Sequence, residues 1–180
     1  MGNDSNFPIR KNNRLKNFDY SNPGAYFLTI CTRNRQNYFW NGEINTQELT
    51  WISVGTNCVR PHGLPLSRIG QLVFEELDAW HTIYEPVSIR SFVIMPDHIH
   101  LIVAILPKDS VQPQVAPTVE RMVKQFKGMV TKRVGFPIWQ NSFYDHIIRN
   151  PDDYQECTQY IINNPLRYYY RKLSSLEENK

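Results

Sequence analysis

The sequence predicts an α+β fold in which an antiparallel sheet carries helices on one face, in the βαββαβ order of the ferredoxin-like fold. Apolar, β-branched runs that favour strands alternate with amphipathic patterns of helical period, and a further helix pattern follows the last strand. The chain has 180 residues, 41% of them hydrophobic, which suits one domain with a substantial core. Its formal net charge of +3 permits nucleic-acid binding without demonstrating it.

The first predicted strand covers 25–32 and directly follows the turn signal of 22–24. It is too apolar for an edge position, so we expect a central strand. The preceding segment, 1–17, is a polar and basic arm. Such an arm is either solvated and mobile or bound to a phosphate backbone, and the sequence leaves both interpretations open. The basic residues of the arm are Arg10, Lys11, Arg14 and Lys16.

The segment 34–66 predicts an insertion with one hairpin, marked by the turn signal Asn41-Gly42. Two helix patterns follow it, at 68–83 and at 119–133. Ser67 and Thr118 stand where their N-caps are expected, and Gly135 ends the second helix. The outer faces of the second helix carry five cations, which suits either a solvated face or a phosphate-facing surface. These cations are Arg121, Lys124, Lys127, Lys132 and Arg133.

Between the two helix patterns lie two apolar runs, 92–94 and 98–103, separated by the turn formers Pro96 and Asp97. His98 and His100 open the second strand and project from the same face, about 6.6 Å apart along the chain. Two imidazoles at this spacing either bind one divalent cation or are each satisfied by a hydrogen bond. We expect this strand to be internal in the sheet.

A last strand is predicted over 138–149, and a helix begins at Asn150, whose side chain caps it. Because the residue before a proline is disfavoured in helices, we expect Pro165 to stop this helix near Asn163. The domain then covers 18–170, with 1–17 as the basic N-terminal arm and 171–180 as a polar tail.

Tyr160 and Asn164 lie one turn apart on the last predicted helix, so they share one edge of it. Placed over His98 and His100, this edge would surround a metal with two nitrogens and one amide oxygen, with a phenol alongside. A cation bound to a phosphate offsets charge on its oxygens and favours attack by a nearby phenolate. Most tyrosines are core or surface aromatics, and nine others occur in the chain.

These residues carry a family resemblance. Five segments, in the same order along about residues 8–170, resemble the REP-associated tyrosine transposases of the single-tyrosine HUH superfamily, in which two histidines flank a hydrophobic residue. The segments are NPGAYFLTICT (22–32), MPDHIHL (95–101), WQ (139–140), YDHIIR (144–149) and YIINNP (160–165).

The resemblance implies a DNA transposase, an endonuclease and strand transferase that cleaves and rejoins single-stranded DNA beside palindromic hairpins through a covalent 5′-phosphotyrosine. It implies Mg²⁺ or Mn²⁺, with His98 and His100 as ligands and Tyr160 as the catalytic nucleophile. Asn164 is the expected third ligand, and Asn163 competes with it. Cations of the arm and of the second helix are the expected DNA contacts: Arg10, Lys11, Arg14, Arg121, Lys124 and Lys127.

Two other functions compete with strand transfer. A domesticated protein could bind hairpins without cutting them, although binding alone needs neither the histidine pair nor Tyr160. A nuclease that uses water would not need Tyr160 either. The three cysteines are far apart and form no Cys-x-x-Cys pair, which together with the absence of a signal-peptide pattern predicts a reducing cytoplasm. The resemblance to DNA transposases implies association with the nucleoid. We expect no membrane partner, and both a monomer and a homodimer remain open.

Overall fold

A computed structural model describes residues 22–54, 58–80, 87–107 and 118–177. Within these ranges the protein has a mixed sheet and three α-helices, which confirms the α+β class. The strands are β1 (Gly24–Cys31), β2 (Thr50–Val54), β3 (Cys58–His62), β4 (Val87–Ile94), β5 (His98–Ile105) and β6 (Tyr144–Ile148). The helices are α1 (Arg68–Asp78), α2 (Val119–Val134) and α3 (Pro151–Glu177). No helix in the described ranges is long and apolar enough to cross a membrane.

The sheet has the strand order β2-β3-β4-β5-β1-β6. The pairs β4–β5, β5–β1 and β1–β6 are antiparallel, whereas β3 pairs parallel to β4 at Val59 and Ser91. Strand β5 lies between β4 and β1, which confirms that the histidine strand is internal. Strand β1 is likewise flanked on both sides, as its apolar sequence predicts.

The insertion contains the expected hairpin, because β2 and β3 pair antiparallel, but its position differs from the prediction. The turn signal Asn41-Gly42 does not join two strands, since Trp40 forms only an isolated bridge with Leu66. The indole of Trp40 donates a hydrogen bond of 2.8 Å to the carbonyl of Ile94, and this contact holds the segment against the end of β4. A tertiary hydrogen bond therefore overrides the local turn signal.

The helices lie on opposite faces of the sheet. Phe74 of α1 packs against Phe92, whose partner across the sheet is Leu101 of β5. Tyr160 of α3 packs against His100, the preceding residue of β5. Since neighbouring strand residues point to opposite faces, α1 and α3 cover different faces. Helix α2 shares the face of α1, and the rings of Trp80 and Phe126 lie 5.5 Å apart between their centroids.

Local signals at the ends of α1 and α2 are confirmed. The hydroxyl of Ser67 accepts a hydrogen bond of 3.0 Å from the amide of Gly70, and that of Thr118 accepts one of 3.2 Å from Arg121. Gly135 ends α2 with φ of 88°, a left-handed conformation that glycine adopts without steric cost. Helix α1 itself ends at Asp78, and residues 81–86, which include the end of its predicted range, lie outside the described residues.

The prediction that Pro165 stops the last helix is wrong. Helix α3 continues through Pro165 to Glu177, so residues 171–177, predicted as part of a polar tail, are helical. Pro165 is buried, and the Tyr168 ring packs edge-on against Trp40 at 5.4 Å between centroids. Lys172 adds an ion pair of 2.6 Å to Glu43. This packing offsets the hydrogen bond that proline removes from the helix.

The last strand is shorter than predicted. Strand β6 covers only Tyr144–Ile148, and within 138–143 the sheet contact is an isolated bridge from Trp139 to Thr32. The carbonyl of Ile138 accepts a hydrogen bond of 2.7 Å from the amide of Arg33, so this part of the chain lies along the end of β1. An irregular stretch near 141–142 separates the bridge from β6.

Candidate active site

A cleft of about 970 Å³ lies between the sheet and α3. Its floor consists of side chains from β1, β5 and β6 that share one sheet face, and its wall is one side of α3. All four residues predicted as metal ligands or nucleophile line the cleft: His98, His100, Tyr160 and Asn164. Asn163, its competitor as third ligand, is not among the residues that line the cleft.

The turn before β5 sets the position of the histidine pair. The amide of Met95 donates to the carbonyl of His98 at 2.8 Å, which closes the tight turn that Pro96 and Asp97 predict. The buried Thr32 fixes this turn from β1, since its amide donates to the carbonyl of Asp97 at 2.8 Å. The first histidine of the pair is thus held by backbone hydrogen bonds at the end of an internal strand.

The two imidazoles converge. Their Nε2 atoms lie 3.0 Å apart, and their ring planes are nearly perpendicular, at 78°. His100 is 4% exposed, so its ring is enclosed by protein. Burial, followed by the charge of His98, lowers the pKa of His100 to about 3. The ring is therefore neutral at pH 7 and keeps a nitrogen lone pair.

Each imidazole is also held through its other nitrogen. Nδ1 of His98 lies 2.5 Å from Oδ1 of Asp97, and Nδ1 of His100 lies 2.8 Å from the hydroxyl of Thr29. Carboxylates and hydroxyls in these positions fix the tautomer and the orientation of metal-binding histidines. Sequence analysis did not predict this role for Asp97 or Thr29. Both lie within the segments that resemble the transposases, and the position of Asp97 directly before His98 could have indicated its role.

Asp97 is an anion at neutral pH. Burial acts to raise the pKa of its carboxyl group, but the hydrogen bond and charge of His98 outweigh burial, and the charge of Arg35 acts in the same direction. The net effect holds the pKa of Asp97 below its ordinary value. A guanidinium nitrogen of Arg35 lies 3.3 Å from Oδ2 of Asp97. The carboxylate therefore orients His98 with one oxygen and contacts Arg35 with the other.

Tyr160 lies beside the histidine pair. Its ring centroid is 5.0 Å from that of His100, and the planes meet at 79°. The side chain is 42% exposed, so its hydroxyl is not sealed in the core. Phe27 packs against both, with centroids 5.3 Å from His100 and 5.8 Å from Tyr160, and it supports the tyrosine from the sheet. Apart from its place in a central strand, no pattern in the sequence indicates this role of Phe27.

Tyr144 also lines the cleft and is 45% exposed. It pairs across the sheet with Thr29, whose other neighbour is His100, so Tyr144 and His100 are two strand spacings apart, about 9.6 Å. Tyr144 is thus one of three tyrosines that line the cleft, with Tyr160 and Tyr168, and it lies farther from His100 than Tyr160 does. Tyr154 does not line the cleft.

A second group of potential ligands lines the same cleft. Ligand atoms of His146, Asp153 and Cys157 lie within 4.8 Å of one another, which makes a possible metal site. Nε2 of His146 already contacts both carboxylate oxygens of Asp153, at 2.8 and 3.0 Å. Burial, followed by the charge of Asp153, raises the pKa of Cys157 to about 11, so the thiol is protonated at neutral pH. A metal bound here would have to displace the thiol proton and the contact between His146 and Asp153.

The predicted DNA-binding cations occupy different surroundings. Arg10, Lys11 and Arg14 lie outside the described residues. Arg121 and Lys124 are exposed on α2, across the sheet from the cleft. The ammonium of Lys127 instead donates to the carbonyls of Gln140 and Ser142 at 2.8 and 3.0 Å. Burial lowers the pKa of Lys127 to about 8.

Three cations that sequence analysis passed over line the cleft itself: Arg35, Arg167 and Arg171. Two of them lie on the part of α3 beyond Pro165. Because the sequence predicts that the helix stops before that proline, its i, i+4 spacing gave no reason to place these arginines beside Tyr160.

Comparison with known proteins supports the family resemblance. No protein-family model matches the chain. The REP-associated tyrosine transposase of Escherichia coli is 30% identical over 88 residues, which cover 48% of this chain and 49% of that protein. An uncharacterized protein of Haemophilus influenzae is 29% identical over 176 residues, covering 87% of this chain and 88% of that protein.

A solved structure of a REP-associated tyrosine transposase bound to a REP hairpin has a similar fold. Its TM-score is 0.55 at 24% identity, and the match covers 86% of this chain and 74% of that one. At this identity the structural match shows the fold alone. Together with the curated relatives, it confirms the resemblance that the sequence segments predict and supports a transposase-type, DNA-processing function.

Proposed function

We propose, from the resemblance to the REP-associated tyrosine transposases, that this protein cleaves and rejoins single-stranded DNA beside hairpins. The reaction is metal-dependent and proceeds through a covalent 5′-phosphotyrosine at Tyr160, as in DNA transposition. The observation that carries the proposal is the convergence of the two Nε2 atoms, 3.0 Å apart, beside an exposed tyrosine in one cleft. Binding without chemistry would not need this arrangement.

The histidine pair fits a divalent cation. In octahedral coordination with bonds of about 2.1 Å, neighbouring ligand atoms lie about 3 Å apart, which matches the separation of the Nε2 atoms. Both Nδ1 atoms have other partners, so the Nε2 atoms are the ones presented to the cleft. His98, His100 and the side-chain oxygen of Asn164 would hold Mg²⁺ or Mn²⁺. When bound, the ion offsets charge on the scissile phosphate.

Tyr160 performs the covalent step. Its phenol loses a proton to solvent, and its oxygen forms a bond to the scissile phosphorus while the bond from phosphorus to the 3′ oxygen breaks. The released 3′ oxygen takes up a proton and leaves as a hydroxyl. Rejoining is the reverse step with a 3′-hydroxyl as nucleophile. Because the phosphodiester is replaced by another phosphoester, no external energy source is needed.

The proposed scaffold and partner follow the same reasoning. Strands β1, β4, β5 and β6 with α1 and α2 constitute a ferredoxin-like core within 18–170, and α3 is the added helix that carries the tyrosine. The substrate is single-stranded DNA with a palindromic hairpin. The basic arm of Arg10, Lys11 and Arg14 would bind backbone phosphates. The exposed Arg121 and Lys124 of α2 would bind them on the side of the sheet opposite the cleft. Lys127 can contribute only its remaining N–H to DNA, because two carbonyls already bind its ammonium.

One experiment separates the proposal from its alternatives. A labelled single-stranded hairpin with flanking DNA is incubated with the protein and Mn²⁺, and the products are run on a denaturing gel. A protein-linked DNA band supports strand transfer through a tyrosine. Free cleaved DNA instead supports a nuclease that uses water, and intact bound DNA supports a domesticated hairpin-binding protein.

A further inference from the structure

The cleft has opposite charges at its two ends, because one side of α3 changes from acidic to basic along its length. Before Tyr160, this side presents Asp153 and Glu156, and beyond Tyr160 it presents Arg167 and Arg171. At 1.5 Å per residue, Arg167 and Arg171 lie about 10 and 16 Å along the helix axis from the tyrosine. The charge change therefore falls at the reacting side chain rather than at either end of the helix.

Neither arginine is neutralised by an acidic residue of the described ranges. No ion pair to either guanidinium is formed among the described residues, and both side chains are exposed. Residues 157–176 contain no Asp or Glu. Like charges at i and i+4 on a helix repel each other, so this pair costs stability in the free protein. An anion bound between them would remove that cost.

A third guanidinium reaches the cleft from the short 3₁₀ turn Arg33–Arg35 after β1. Arg35 has φ of 55°, a left-handed conformation uncommon outside glycine. Uncommon backbone conformations of this kind often serve to aim a side chain at a functional site. The charge of Arg35 is shared with Asp97 through one contact of 3.3 Å, which leaves most of its N–H donors available.

We propose that Arg35, Arg167 and Arg171 form a phosphate clamp that binds single-stranded DNA on one flank of the scissile phosphate. Planar guanidinium groups bind phosphate oxygens through two parallel hydrogen bonds, which suits arginine better than lysine for this task. The acidic half of α3 repels backbone phosphates from the other end of the cleft. The clamp thereby fixes on which side of Tyr160 the bound strand lies. This inference depends on the proposed function, since it assumes that the cleft receives a DNA strand.

The test measures DNA binding in a Tyr160→Phe background, so that no covalent chemistry contributes. Salt titrations compare the parent with an Arg167→Ala/Arg171→Ala variant and with Arg149→Ala, which removes an exposed arginine outside the cleft. Each phosphate contact on a single strand contributes about −0.7 to the slope of log affinity against log salt. We expect the double variant to lose about 1.4 of this slope and Arg149→Ala to keep it.

Neutral methylphosphonate linkages, placed one at a time in the DNA, then locate the contacts. Among the linkages close to the cleavage position, those on one flank should weaken binding to the parent. In the double variant, the linkages that Arg167 and Arg171 bind should have no further effect, whereas a linkage bound by Arg35 should still weaken binding. An unchanged salt slope in the double variant, or equal methylphosphonate effects in both proteins, would overturn the clamp. Failure of the proposed function appears separately, as a missing covalent adduct in the protein that retains Tyr160.

Discussion

At the scale of single residues, the sharpest expectation concerns Tyr160→Phe. The change removes one oxygen and little volume, and the ring can keep its edge-on contacts with His100 and Phe27. The proposed ligands remain, so binding of the hairpin should persist while cleavage and the covalent adduct vanish. Gel analysis of labelled DNA measures cleavage and the covalent adduct, and fluorescence anisotropy measures binding of the hairpin.

Two tyrosines serve as comparisons for Tyr160→Phe. Tyr154→Phe should remain fully active, because Tyr154 does not line the cleft. Tyr144→Phe is the more demanding control, since Tyr144 is exposed within the cleft beside Thr29. If Tyr160→Phe still forms an adduct, peptide mapping of the linked residue would identify the true nucleophile, and Tyr144 is the first candidate.

Asp97 should act through His98. Replacing Asp97 by asparagine keeps the shape of the side chain but removes the negative charge that orients the imidazole of His98. We expect Asp97→Asn to weaken Mn²⁺ binding by about 10- to 100-fold, as measured by titration calorimetry. Asp78→Asn is the matched control, because Asp78 is paired with Arg60 and does not line the cleft. Equal Mn²⁺ affinity in the parent and in Asp97→Asn would exclude this positioning role.

At the scale of elements, the sequence predicts well what depends on neighbours along the chain. The caps at Ser67 and Thr118 and the stop at Gly135 are local hydrogen bonds and a local backbone conformation, and all three occur as predicted. The course of α3 beyond Pro165 depends instead on Trp40, more than a hundred positions away, so no local pattern could reveal it. The cleft arginines were missed for the same reason.

The contact of Trp40 with α3 can be tested by Trp40→Ala. Trp40 is 9% exposed, and its removal should lower the free energy of unfolding by about 3–5 kcal/mol through lost packing. It also leaves the carbonyl of Ile94 without the indole donor. We expect hydrogen exchange to accelerate in 166–177, because this half of the helix packs there. Lys172→Ala, which removes only an exposed ion pair, should change stability little.

At the scale of the whole molecule, the site lies where separate parts of the chain meet. Strand β5 supplies the histidines, β1 supplies Thr29 and Phe27, and α3 supplies Tyr160 and Asn164. The sequence predicts the histidine pair from strand periodicity and the tyrosine edge from helix periodicity. Neither periodicity predicts that the histidine side of β5 and the tyrosine side of α3 face each other, since that depends on which sheet face α3 covers. The family resemblance supplied that expectation before the geometry did.

The stability of the molecule should not depend on the metal. The core consists of apolar side chains on both faces of the sheet, and the proposed site is an open one with three protein ligands. A ligand present at up to about four times its Kd stabilises the folded state by no more than about 1 kcal/mol. For a chain of this size that corresponds to about 2–4 °C in the midpoint of thermal unfolding.

EDTA should therefore abolish cleavage while lowering the calorimetric midpoint by no more than this amount, and Mn²⁺ added back should restore cleavage. A much larger loss of thermal stability on chelation would show that the metal is structural, because metals that hold a fold together contribute their binding energy to folding.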